Sequence, residues 1–151
     1  MVKSGEMLLG RYTSRVTDKG RVALPAKLRA ELGEKIVVTQ GYEKSLILVA
    51  ESSWRELIKG TGQKPFTIGA ARDTTRFLLG SASSAILDKQ GRFVLPDYLK
   101  QHAEIAEEVI FLGLGTYIEL WDKKRWEEYQ EYLNVNIEDI SERLSKLNIE
   151  K

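Results

Sequence analysis

The sequence reads as an α+β protein made of two tandem copies of one unit, each running β-strand, tight turn, β-strand, short helix, β-hairpin, helix. Three observations carry this reading. First, "TDKGRVALP" at residues 17–25 returns as "DKQGRFVLP" at 88–96, so Gly20, Arg21, Leu24 and Pro25 match Gly91, Arg92, Leu95 and Pro96. Second, "KIVVTQGYEKSLILVAESSWREL" and "EVIFLGLGTYIELWDKKRWEEY" align at an offset of 72, matching Val37 with Val109, Gly41 with Gly113, Leu48 with Leu120 and Trp54 with Trp126. Third, Leu9-Gly10 and Leu79-Gly80 introduce two further predicted strands, "GRYTSRV" and "SASSAIL". A unit of roughly 45 residues buries too little surface to stand alone, whereas two in one chain can supply each other's missing core.

Within each unit the elements follow from local chemistry. Pro25 and Pro96 suit the first position of a short helix, where the missing N–H costs nothing and the fixed φ is already helical. Gly33 is placed to close the first helix as a left-handed cap. The β-branched run Ile36 to Thr39, the alternation of Leu46 and Leu48, and their counterparts Val109 to Leu112 and Tyr117 to Trp121 predict a hairpin around a glycine turn in each copy. Ser53 followed by Glu56 forms a capping-box pattern for a helix carrying Trp54, and Trp54 and Trp126 are expected to anchor the core. "GTGQKPF" at 60–66 has the composition of a linker, and "TIGAARDTTRFLL" after it reads as a helix. In the tail, Asn136 is placed to cap a helix whose Ile137, Ile140, Leu144 and Leu147 recur every three or four residues. That apolar stripe either folds back on its own domain or docks on a neighbouring subunit. The resulting division is 7–60 for the first unit, 61–80 for linker and connecting helix, 81–133 for the second unit and 134–151 for the C-terminal amphipathic helix.

Composition narrows the function. An apolar content of 42% is ordinary for a globular chain, and no run approaches the ~20 apolar residues of a membrane span. The opening "MVKSGEMLLG" is too short and polar for a secretory signal, so the expected location is the cytoplasm. No cysteine is present and His102 is the single histidine, which leaves no thiolate chemistry and little for catalysis or metal binding. The net charge of +1 conceals an asymmetry: residues 1–100 carry 17 Lys and Arg against 10 Asp and Glu, and residues 101–151 carry 6 against 12. A basic end of this kind fits a polyanionic partner, although an ordinary solvated surface fits the charge equally well.

The repeated turn is the candidate site. Gly20 and Gly91 supply the backbone dihedrals of a tight bend. Val22 and Leu24 share one strand face and Arg21 and Ala23 the other, so Arg21 should point to solvent. A single turn of this kind is more often structural. Two outward arginines are not required by the fold, and a guanidinium held at a turn can bind phosphate or the O6 and N7 edge of guanine. A β-ribbon is narrow enough to enter a major groove. Arg15, Lys27, Arg29, Lys89 and Lys100 extend the basic surface, while Lys27, Arg29 and Lys100 fit equally well as the solvent face of short helices.

The stretches "MLLGRYTSRVTDKGRVALP", "TRFLLGSA", "LDKQGRFVLP" and "YIELWDKKRWEEY" together resemble the MraZ family across about residues 7 to 133, and each half resembles the AbrB-like swapped-hairpin fold. The resemblance implies one intertwined swapped-hairpin β-barrel built from the two units, plus the C-terminal helix. It implies a sequence-specific, double-stranded-DNA-binding transcriptional regulator, associated with the nucleoid, that acts on repeated boxes in the promoter of its own cell division and cell wall gene cluster. It also implies assembly as a homo-oligomer, a closed ring, with the acidic part of the chain facing away from DNA. The family's DNA-contacting role falls on Lys19, Arg21 and Arg92, and Arg15 and Arg29 resemble basic positions used by AbrB-like proteins. Thr17 departs from the family pattern, which has aspartate there; Asp88 keeps it in the second copy. Thr17 can accept a turn hydrogen bond but brings no charge.

Other functions fit less well. No nucleophile motif, phosphate loop or metal-spaced cluster is present, so neither an enzyme, a cofactor, a metal nor a small-molecule substrate is expected. "GLGTYIEL" at 113–120 lacks the third glycine of a dinucleotide fingerprint and reads better as a hairpin turn. His102 reads as an ordinary exposed helix residue. An antitoxin-like or other protein-interaction module is the main alternative, because AbrB-type folds also serve there; two units and a capped tail argue for assembly over toxin capture. RNA binding lacks its aromatic platform, since Phe93 alone lies near the motifs and should point inward.

Overall fold

The computed structural model describes residues 7–59 and 65–147. The first unit comprises β1 (Leu8–Arg15), β2 (Arg21–Ala23), α1 (Ala26–Leu32), β3 (Lys35–Gln40), β4 (Leu46–Ala50), a 3₁₀ turn (Glu51–Ser53) and α2 (Trp54–Leu57). The second follows as α3 (Gly69–Leu78), β5 (Ser83–Ile86), β6 (Arg92–Val94), α4 (Asp97–His102), β7 (Glu108–Gly115), β8 (Ile118–Asp122) and α5 (Lys123–Ser145). Residues 60–64 of the linker and 148–151 of the tail lie outside the described residues.

The two units exchange strands. A six-stranded antiparallel sheet has the order β1-β7-β8-β4-β3-β5, and a two-stranded ribbon pairs β2 with β6. The first strand of each unit thus lies on the hairpin of the other, β1 on β7 and β5 on β3, and both orders read the same when the units are interchanged. One buried cluster joins Val22, Leu24, Leu28 and Ile36 of the first unit to Phe93, Leu95, Leu99 and Phe111 of the second. The expected barrel is realised as this sheet and ribbon packed on one core. Neither unit has a core without the other, which is the burial that a unit of this size lacks alone.

Strand pairing corrects the gapless match of Val37 with Val109 and Gly41 with Gly113. Leu87 N donates to Glu34 O and Val16 N donates to Glu107 O, both at 2.8 Å, so Glu34 and Glu107 are the equivalent residues. Ile36 and Val38 then correspond to Val109 and Phe111, and all four are buried in the shared core. A strand's side chains alternate between faces, so an alignment off by one residue would put every one on the wrong side. The offset of 72 holds from β4 and β8 onward, where Leu48 and Leu120 are both fully buried. The first hairpin bends on Glu43 and Lys44, at φ 55° and 61°, and not on Gly41.

Several local expectations shift. Pro25 and Pro96 are the cap residues just before their helices, at φ −57° and −58°, and their carbonyls accept from Arg29 N and Lys100 N. Gly33 has φ 84° with ψ −175°, a glycine region outside the left-handed helix, because the chain must leave α1 extended to enter β3. Ser53 makes no capping bond, since its own backbone is already helical after the 3₁₀ turn. Trp54 and Trp126 are half-buried, and the fully enclosed tryptophan is Trp121. His102 is half-buried: its Nε2 lies 3.2 Å from Gly41 O and its ring meets the edge of Phe77 at 5.7 Å.

The tail does not begin a new helix at Asn136. α5 is capped by Asp122, whose Oδ2 accepts from Arg125 N at 3.3 Å, and runs unbroken from Lys123 to Ser145. Asn136 therefore sits inside it and donates from Nδ2 to Tyr132 O. The first half of α5 lays Trp126 and Tyr129 over Ile110, Leu112 and Trp121 on the outer face of β7 and β8. In the second half Ile137, Leu144 and Leu147 of the stripe are exposed, as is Val135, and Ile140 is half-buried, so most of the stripe stays uncovered by the described residues of its own chain.

Candidate nucleic-acid interface

The two repeated turns have the same backbone. Thr17 N donates to Arg21 O at 2.8 Å and Gly20 N to Thr17 O at 2.9 Å; Asp88 N donates to Arg92 O at 3.0 Å and Gly91 N to Asp88 O at 2.9 Å. Gly20 and Gly91 both stand at φ 78°, a conformation that disfavours any residue with a Cβ. Each turn is tied across the ribbon to the other, because Gly20 O accepts from Leu95 N at 2.7 Å and Gly91 O from Leu24 N at 2.8 Å.

The ribbon register then decides which side chains meet. Arg21 is opposite Val94, Val22 opposite Phe93 and Ala23 opposite Arg92. Val22 and Phe93 are buried, so Arg21, Ala23, Arg92 and Val94 share the outward face. Arg21 and Arg92 are diagonal neighbours there, with backbones about 7–8 Å apart. Lys19 and Lys89 flank this face from the two turns and are exposed. Val94, 56% exposed between the arginines, belongs to the face, although no motif singles it out.

The arginines differ in their surroundings. Asp88 Oδ1 accepts from Gln90 N and Arg92 N, both at 2.9 Å, and Oδ2 accepts from Arg92 Nε at 2.8 Å. The Arg92 backbone N–H, helped by its guanidinium and by Gln90 N–H against some desolvation, holds the Asp88 carboxyl below its ordinary range. In the first turn Thr17 Oγ1 accepts from Arg21 N at 3.1 Å, and among the described residues no carboxylate pairs with the Arg21 guanidinium.

Arg15 and Arg29 lie apart from the shared face. Arg15, at the end of β1, is paired with Glu107 and lies 3.8 Å from Glu108, so its charge is already matched. Arg29 is half-buried and lies under the second turn: a Cβ built on Gly91 would meet its Cδ at 2.8 Å and Cζ at 2.9 Å. Its Nη1 is buried without a hydrogen-bond partner among the described residues. From the residues both only extend the basic surface, with Arg29 equally fitting a solvated helix face, because side-chain packing leaves no periodic signal. The Asp88 to Arg92 spacing, four residues across a turn, was the readable sign of the ion pair.

Elsewhere the chemistry is sparse. Two surface grooves of about 630 and 490 Å³ lie at equivalent places in the two units; Glu34, Lys35 and Arg55 line one, and Arg15, Glu107 and Lys123 the other. Among the described residues no group of His, Asp and Glu could hold a metal ion, and no helix is long and apolar enough to cross a membrane.

Comparison with known proteins agrees with the duplicated architecture. The family model described as "MraZ protein, putative antitoxin-like" matches the chain twice, over residues 7–77 and 78–148. A protein of Caldanaerobacter subterraneus subsp. tengcongensis is 42% identical over 143 residues, 95% of this chain and all of that protein. Proteins of Thermoanaerobacter sp. (strain X514) and Syntrophomonas wolfei subsp. wolfei are 43% and 38% identical over the same shares. All three are called transcriptional regulator MraZ. With two matched copies covering nearly the whole chain and relatives of this identity along their full length, the chain belongs to the MraZ family.

Proposed function

We propose that this chain is a DNA-binding transcriptional regulator, a regulatory and not a catalytic protein, that uses the outward face of the β2–β6 ribbon to bind double-stranded DNA. The observation that carries the reading is the placement of Arg21 and Arg92 as diagonal neighbours on one exposed face. Lys19 and Lys89 beside them add charge for the phosphate backbone, and the face carries guanidinium groups able to bind phosphate or a base edge. The names of the relatives support the regulatory role. The target we propose is the promoter of the protein's own cell division and cell wall gene cluster, read through repeated DNA boxes on the nucleoid in the cytoplasm.

One small ribbon contacts few phosphates, so affinity requires several copies. We propose a homo-oligomeric ring in which each subunit presents its ribbon to one box, weak contacts adding through effective concentration. The exposed apolar half of α5 is the surface proposed to join neighbours.

The test is an anisotropy titration with DNA from upstream of the gene at several salt concentrations, with shuffled DNA and RNA as competitors. The reading expects upstream DNA to outcompete both and affinity to fall steeply with salt. Equal competition by all three nucleic acids would defeat it.

A further inference from the structure

We infer that the two turns divide the work of DNA recognition: Arg92, oriented by Asp88 on a turn whose Gly91 packs against Arg29, reads the base sequence, whereas the unclamped Arg21 acts as a charge on the phosphate backbone. This rests on the DNA-binding reading proposed above and adds roles to the two copies.

The backbones of the turns are interchangeable, so the difference lies in side chains. Asp88 occupies Arg92 Nε at 2.8 Å. That bond fixes the guanidinium plane and leaves its two terminal nitrogens free, the pair that binds guanine O6 and N7 in parallel. Orientation achieved before binding removes the rotamer entropy otherwise lost at the interface. The same carboxylate lowers the net charge of the second turn, so Arg92 gains little from a phosphate. Arg21 has the reverse properties. Thr17 holds its backbone N–H at 3.1 Å and leaves the whole guanidinium free to follow a phosphate.

The support beneath the turns is unequal too. Gly91 closes on the Arg29 side chain, which occupies the space a Cβ would need. Lys100, the matching residue in the second unit, does not reach Gly20, whose nearest neighbours are Leu95 O at 3.3 Å and Val94 Cγ1 at 4.0 Å. The second turn is thus held by an ion pair and a packed arginine, and the first by neither. Asp88 and Arg29 are positioning residues in this scheme.

The test exchanges the two restraints. Asp88→Thr installs in the second turn the residue that already holds the first, so the backbone keeps its acceptor, and Thr17→Asp does the converse. In the free protein, the Nε–H signal of Arg92 should exchange slowly in wild type and rapidly in Asp88→Thr, and that of Arg21 should slow in Thr17→Asp. With DNA, Asp88→Thr should cut the preference for upstream over shuffled sequence at least about fivefold, the lower end of one bidentate base contact, while shuffled DNA binds more tightly. Thr17→Asp should reduce the salt dependence by up to about one unit. A wild-type chain that prefers upstream DNA, together with an Asp88→Thr variant of unchanged preference, would overturn this inference alone. A wild-type chain without preference would overturn the functional reading and this inference together, even with the Arg92 signal protected.

Discussion

Gly20 and Gly91 are hydrogen-bonded to the strand that follows the other: Gly20 O accepts from Leu95 N at 2.7 Å, and Gly91 O from Leu24 N at 2.8 Å. Each turn is therefore completed by the opposite unit, and the spacing of Arg21 and Arg92 is set by backbone geometry. Long side chains that reached solvent independently would have no defined separation. Here the ribbon register fixes the backbone positions from which both side chains extend.

Replacing Arg21 with Ala should weaken binding to upstream and shuffled DNA alike and lower the salt slope by about one unit. The residue is exposed and makes no ion pair among the described residues, so unfolding in urea should shift by no more than about 0.5 kcal/mol. Lost binding accompanied by a large loss of stability would assign Arg21 to the fold.

Gly20→Ala and Gly91→Ala should each destabilise the protein by about 1–2 kcal/mol, because both glycines stand at φ 78°. Gly91→Ala should cost more, since its methyl group must also displace Arg29, whereas Gly20 has only Leu95 O within tight range. Combining Gly91→Ala with Arg29→Ala should recover the excess. Additive effects in that cycle, measured by urea unfolding, would show that Arg29 does not brace the turn.

Stability should respond to acid through carboxyls shifted in opposite directions, Asp88 and Glu104 downward and Glu119 upward. Asp88 has its folded pKa lowered, so its contribution is present above the ordinary carboxyl range and is lost as pH falls through the lowered value. Glu119 is raised by burial and by the charge of Glu43, against the opposing hydrogen bond that Trp121 Nε1 donates to it at 2.9 Å. Its protonated form is favoured in the folded chain, so its contribution is present in acid and lost as pH rises through the raised value. Glu119→Gln keeps the acceptor for Trp121 and should raise the urea midpoint at pH 7 relative to wild type. The difference should close toward pH 4, and a constant difference across that range would contradict the assignment.

A chain ending after Leu133 should keep Trp126 and Tyr129 on the outer face of β7 and β8 and should remain folded. It loses Val135, Ile137 and Leu144, which stay exposed in the described chain. Light scattering should report a smaller assembly than the full chain gives. An unchanged mass would remove α5 from the proposed ring contacts.

The duplicated motif, the order of strands and helices in each unit, and the outward aim of Arg21 were legible in the residues because each depends on local chemistry: glycine at a bend, proline before a helix, alternation along a strand. The strand exchange follows from that duplication only as a need for a shared core. Which strand pairs with which, and that β3 and β7 match two residues further along than β1 and β5, came from hydrogen bonding between segments far apart in sequence. The same holds for the site. Residue type and pattern mark Lys19, Arg21 and Arg92 as candidates, but the pairing of Arg15 with Glu107 and the packing of Arg29 beneath Gly91 join residues 92 and 62 positions apart, and only chain folding brings them within reach. A turn can be read from its own few residues because its torsional preferences are local. The surroundings of a charge are decided by whatever the rest of the chain delivers to it.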